Sequence, residues 1–140
     1  MITLLVISLF IELLFWQVEA ELKSCKYVEN ICVYGDSLHT YTIAFISASL
    51  PALKELGKDL NKTDLSFEAL CNDEQINAAV MKELKEFSEE SGLNKMEVPQ
   101  KIKLCHEEWS VKSGFLTASM KINRKNIHKF YQEYIDKFYA

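Results

Sequence analysis

The stretch Trp109–Lys125, WSVKSGFLTASMKINRK, sets a Ser/Gly/Thr-rich loop directly before Lys121 and Arg124, with a helix start just beyond. A lysine at the end of such a loop is a mobile, strongly hydrated point charge, suited to a phosphate or carboxylate oxygen. On spacing alone the plain reading of Lys121 is an ordinary solvated lysine. The three histidines, His39, His106 and His128, lie far apart in the chain. His39 sits beside a turn and reads as solvated. His106 follows Cys105, but neighbours on a strand face opposite sides, so the adjacency is a weak sign of a nucleophile pair. Cys25, Cys32, Cys71 and Cys105 make no C-x-x-C pair and no histidine stands at zinc-finger spacing, so no metal site is expected. Cys32, in an apolar run, reads as a small buried thiol, with a disulfide as the alternative in a secreted chain. The sequon Asn61-Lys62-Thr63 matters only on the secretory route. P-loop, G-x-G-x-x-G, G-x-S-x-G and H-E-x-x-H motifs are all absent from the 140 residues.

Charge narrows the partners. The formal net charge of −4 argues against a nucleic-acid binder. The charge is uneven, however. Between Asp64 and Ser91 eight acids meet two lysines, whereas from Ser110 to the end six bases meet two acids. If any part of the chain meets phosphate, it is the C-terminal stretch.

These residues need elements to position them. Near-average composition (49% hydrophobic, 26% charged) with four glycines and two prolines indicates one ordinary folded domain. Met1–Gln17 is almost wholly apolar apart from Glu12, short for a membrane span of about 20 residues. It reads as a membrane anchor, a signal peptide with a V-x-A pattern at Val18–Ala20, or a false start. Glu19–Ser24 is consistent with a brief helix. Asn30–Tyr34 and Tyr41–Ile46 flank the turn Gly35-Asp36-Ser37 and predict an antiparallel hairpin. Leu50, Leu53, Leu56 and Leu60 recur at helical spacing, with Ser49 as N-cap and Pro51 in the first turn. A long helix is predicted from about Asp73 to Ser91, capped by Asn72 with Gln75 reaching back, and stopped by Gly92. Lys101–Cys105 alternates as a half-buried strand. Ile127, Phe130, Tyr131, Tyr134, Ile135 and Phe138 form one apolar stripe, read as core on a single last helix. The expected fold class is α+β: a small, mostly antiparallel sheet with flanking amphipathic helices, preceded by an apolar N-terminal helix.

Taken together, Val18–Ala140 resembles the C-terminal lid domain of long-chain fatty acid–CoA ligases, the long-chain acyl-CoA synthetases of the adenylate-forming superfamily. The likeness rests on Gln17-Val18-Glu19-Ala20-Glu21-Leu22, on Asn30-Ile31-Cys32-Val33-Tyr34-Gly35-Asp36, and on the second strand Tyr41–Phe45. It resumes at Trp109–Thr117 and ends with Met120-Lys121-Ile122-Asn123-Arg124-Lys125. The chain departs from the family at Cys25-Lys26 and Val111, where prolines are usual, and the family's large domain has no counterpart upstream of Gln17.

The resemblance implies a two-part organisation, with 1–17 as apolar segment and 18–140 as lid. It also implies a two-step reaction, in which ATP and a long-chain fatty acid give acyl-adenylate and diphosphate, and coenzyme A then displaces AMP. By position Lys121 would be the lid lysine that enters the site for adenylation, and the hairpin at Gly35–Asp36 would turn toward the pantetheine channel. ATP and CoA would be substrates of the complete enzyme, with Mg2+ held by the large domain, and this chain is not expected to be active alone. Membrane association on the cytoplasmic face, at the endoplasmic reticulum or mitochondrial outer membrane, follows from the family. The alternatives are a non-catalytic, membrane-tethered lid module binding a partner in trans, or a secreted four-cysteine binding protein.

Overall fold

The computed structural model describes residues 13–36, 38–93 and 97–140. Most of the N-terminal apolar segment (1–12) and Ser37 of the expected turn lie outside the described residues. Helix α1 runs through 13–22, and the hairpin follows as β1 (Val28–Tyr34) and β2 (Ile43–Ala48). Three helices come next, α2 (Leu50–Asp59), α3 (Phe67–Asn72) and α4 (Glu74–Glu90), and then β3 (Lys101–Cys105). The chain ends in α5 (Arg124–Phe130) and α6 (Gln132–Phe138). Among the described residues no helix is long and apolar enough to cross a membrane.

The sheet has the order β1-β2-β3. β1 and β2 pair antiparallel, with Cys32 opposite Phe45 and a register irregularity between Val28 and Asn30. β3 joins the other side of β2 in parallel, because the α2–α4 segment carries the chain back across the sheet before β3 begins. Both faces are covered. On one, Ile31, Val33, Ile46 and Leu104 pack with Val18 and Leu22 of α1, Leu53, Leu70, Ile76 and Val80. On the other, Cys32, Ile43, Phe45 and Cys105 pack with Trp109, Phe115, Ile127, Tyr131 and Ile135. All six residues of β2 are therefore buried, as a doubly covered strand requires. The fold class is α+β.

Three local expectations shift. The cap of α4 is Asp73, whose Oδ1 accepts from the Ile76 amide at 3.0 Å; Asn72 closes α3, a helix too short to show a clear period. Ser49 does occupy the N-cap of α2, but its side chain makes no capping hydrogen bond. The C-terminal stripe is divided at Tyr131 (φ −100°, ψ 21°) into α5 and α6. Ile127, Tyr131 and Ile135 face the core, whereas Phe130 is 55% exposed. Gly92, with φ +79°, is the left-handed stop of α4.

Candidate functional site

Lys121 stands in a tight, self-bonded turn. The Thr117 amide donates to the Lys121 carbonyl at 2.7 Å, and the Met120 amide to the Thr117 carbonyl at 2.8 Å. The Lys121 amide in turn reaches Thr117 Oγ1 at 3.3 Å. Met120 takes φ +65°, a conformation that bulky L residues adopt rarely, which closes the turn in so few residues. Leu116 bridges Ile122, and the Asn123 amide donates to the Phe115 carbonyl, so the turn rides on a two-stranded stem. Upstream, Ser113 Oγ accepts from the Ser110 amide and donates to the Ser110 carbonyl, both at 2.9 Å. The Ser/Gly/Thr loop is thus internally wired. Lys121 itself is exposed, and its amine has no hydrogen-bond or ion-pair partner among the described residues.

Three residues on, Arg124 opens α5 and turns inward. Its Nη1 and Nη2 donate to Glu19 Oε2 and Oε1, each at 2.8 Å, and Nη1 also donates to the Val33 carbonyl at 2.9 Å. Glu19 Oε2 accepts from the Val33 amide at 2.7 Å. The Glu19 side chain is only 7% exposed and that of Arg124 24%. This pair, 105 residues apart in the chain, was not expected from the sequence. The available signal was faint: Glu19 is an acid beside Val18 on the inward stripe of a helix. A cleft of about 380 Å3 lies over the pair, lined by Trp16, Lys23, Asn30, Met120, Lys121 and Ile122, with Glu19 and Arg124 also in its wall.

The histidines and cysteines do not assemble a nucleophile. Cys105 is buried in the core, and burial pushes its thiol up to about 12. His106 instead lies near Glu68 and Glu107, at 3.9 and 3.6 Å. The structure does bring Cys32 to His128, with Sγ 3.6 Å from Nε2. Burial pushes Cys32 up to about 12, while burial and then the Arg124 charge push His128 down to about 4. Both shifts favour the neutral forms, the opposite of an activated thiolate–imidazolium pair. All four cysteines are buried and free. His39 is not simply solvated: Nδ1 sits 2.7 Å from Asp36 Oδ1, and its ring stacks on Tyr139 at 3.8 Å. Among the described residues no group of three His, Cys, Asp or Glu could hold a metal ion. What remains chemically available is an exposed cation on a hydrogen-bonded turn, in the wall of a cleft that also holds the Glu19–Arg124 ion pair.

No protein-family model matches the chain. Among curated proteins it is 34% identical over 124 residues to long chain acyl-CoA synthetase 8 of Arabidopsis thaliana, and 30% identical over 124 residues to fatty acyl-CoA synthetase B of Dictyostelium discoideum. Each likeness covers 89% of this chain but only 17% and 18% of those proteins. The chain therefore spans about one-sixth of the length of the curated relatives it matches. Among solved structures it superposes on the A-PCP didomain of carboxylic acid reductase from Segniliparus rugosus in complex with AMP. That likeness has a TM-score of 0.72 and 25% identity, and covers 90% of this chain and 16% of that one. The adenylation domain of the carboxylate reductase from Mycobacterium chelonae gives a TM-score of 0.70 at 24% identity, over 88% of this chain and 17% of that one, a likeness of fold.

Proposed function

The chain corresponds to a segment of the long-chain acyl-CoA synthetases, and we propose that it is the lid of such an enzyme, with Lys121 serving the adenylation step. The observation that carries this reading is the exposed, unpartnered Lys121 amine on a stem-supported turn. In the complete enzyme a fatty-acid carboxylate oxygen attacks the α-phosphorus of ATP, an acyl–phosphate bond forms, and diphosphate leaves. Negative charge gathers on the phosphoryl and carboxylate oxygens as this happens, and a cation held between them stabilises that transition state more than the ground state. A preformed turn suits that role, because the lysine backbone needs no ordering when the lid arrives. ATP, coenzyme A and the acyl chain are substrates on this reading. This chain's own contribution is one positioned cation, which is effective only where other parts of the enzyme hold the reactants.

The test is a chimera in which this chain replaces the matching segment of a curated relative. Adenylation is followed by diphosphate exchange, and thioester formation from preformed acyl-adenylate. Lys121→Ala should lower adenylation on the order of 100-fold, the size of one lost electrostatic donor, and leave thioester formation within a few-fold. An equal loss in both half-reactions overturns the role.

A further inference from the structure

We infer that Glu19 and Arg124 form a clasp whose task is to position the Lys121 turn against α1 and the edge of β1. The inference rests on the proposed role of Lys121, although the clasp itself is a matter of geometry. β1 is an edge strand, with β2 on one side of it only. At Val33 the amide and the carbonyl are both taken up by the clasp, the first by Glu19 Oε2 and the second by Arg124 Nη1. A carboxylate and a guanidinium thus stand where the backbone of a further strand would stand, and α1, β1 and α5 meet at one residue.

The lever arm is short. Arg124 lies three residues after Lys121, and between them stand Ile122, in its bridge to Leu116, and Asn123, the cap of α5; just beyond, Asn126 Nδ2 donates to the Gly114 carbonyl at 2.8 Å. Phe115 and Ile127 anchor the stem in the core, at 7% and 0% exposure. These apolar contacts, with the hydrogen bonds of the stem, set the turn's own shape but leave its angle to α1 to other contacts. The bidentate fork does fix it, because two parallel N–H···O bonds define a plane as well as a distance. Glu19, Lys121 and Arg124 also line the same cleft. Glu19 therefore has a second effect: it cancels the Arg124 charge and leaves Lys121 and Lys23 as the cations of that cleft lining.

Glu19→Gln keeps the shape and removes the charge, while Arg124→Lys keeps the charge and removes the fork. In the 140-residue chain, both variants should preserve hydrogen-exchange protection of the β1–β2 ladder, Val33, whose amide is held by the clasp, excepted. The {1H}-15N heteronuclear NOEs of Met120, Lys121, Ile122 and Asn123 should drop. In the chimera, both should slow adenylation on the order of 10-fold, as expected for a slightly misplaced group, and spare thioester formation. Glu19→Asp, which keeps the charge but shortens the reach, should recover part of that loss. Unchanged NOEs in a folded variant, or an equal fall of both half-reactions, overturn the clasp. If Glu19→Gln fails to fold, the Glu19→Gln/Arg124→Gln pair leaves no charge buried and gives the same NOE readout. Loosened NOEs combined with a normal adenylation rate for Lys121→Ala would leave the clasp standing and refute the catalytic reading alone.

Discussion

Replacing His128 with glutamine should remove part of the chain's sensitivity to mild acid. His128 lies on α5 with Cys32 Sγ 3.6 Å from Nε2 and its ring edge-on to Tyr34 at 4.8 Å. Burial, and then repulsion from the Arg124 guanidinium, lowers it from 6.5 to about 4. The unfolded chain therefore takes up a proton near pH 6.5 that the fold refuses until about pH 4. The stability tied to this neutral imidazole is complete above pH 6.5 and is lost as the pH falls through that window. If the full shift acted, the loss between pH 7 and pH 5 would be about 2 kcal/mol. The ring is only partly buried and water screens it, so about 1 kcal/mol is the expected size. Glutamine can still accept from the Cys32 thiol but does not titrate. Urea denaturation of both proteins at pH 7.0 and 5.0, followed by the fluorescence of buried Trp109, measures the difference. Asp36 and Asp73 are both held below their ordinary 3.8, and their stability is lost only as the pH falls below that value, outside the window. Other groups are common to the two proteins and cancel in the comparison. A variant that loses as much stability as the parent between the two pH values would show that His128 is not kept neutral by the fold.

Two further substitutions or treatments test the packing. Gly57→Ala should destabilise by about 1–3 kcal/mol, against the helix propensity of alanine. A Cβ there would sit 2.8 Å from the Lys62 carbonyl oxygen, and the Lys62 amide already donates to the Gly57 carbonyl at 2.6 Å, so the backbone has nowhere to move. A rise in the urea midpoint would contradict this. The four thiols should be unreactive toward Ellman's reagent in the native chain and all four reactive in guanidinium, since each is buried and each is pushed above its ordinary value, chiefly by burial. A thiol that reacts within seconds in the native chain would show that one of these burials is wrong.

The elements that the sequence declared are those whose signal is local. β-Branched and aromatic runs marked β1 and β2, alternation marked β3, and the apolar period of Ile76, Val80, Leu84 and Phe87 marked α4. Expectations slipped where two local signals competed. Asn72 and Asp73 are both good caps, and the choice fell to Asp73 because Asn72 was already the last residue of α3 and because Lys62 holds the Asp73 carboxylate at 2.8 Å. The C-terminal stripe looked continuous because Phe130 falls in phase with it. The break at Tyr131 instead follows from tertiary packing: the ring stacks on Phe45 at 4.9 Å, and its hydroxyl donates to Glu107 Oε1 at 2.8 Å. Neither partner is visible from the stripe.

The candidate site divides along the same line. Lys121 could be singled out because a cation after a Ser/Gly/Thr loop is a contiguous pattern. Glu19 could not, because its place beside Val18 is the sole local hint, and its guanidinium partner lies 105 residues away in the chain. Burying a lone carboxylate costs several kcal/mol, so Glu19, at 7% exposure, depends on Arg124, whereas Arg124, at 24% exposure, keeps contact with water. That dependence joins two distant parts of the chain: α1 and the turn that carries the lysine share a single ion pair and a single backbone residue, Val33. A motif search that scores Lys121 in isolation misses this condition. A lysine on an equivalent turn without an acid at position 19 would share the same cleft with a second, uncompensated cation.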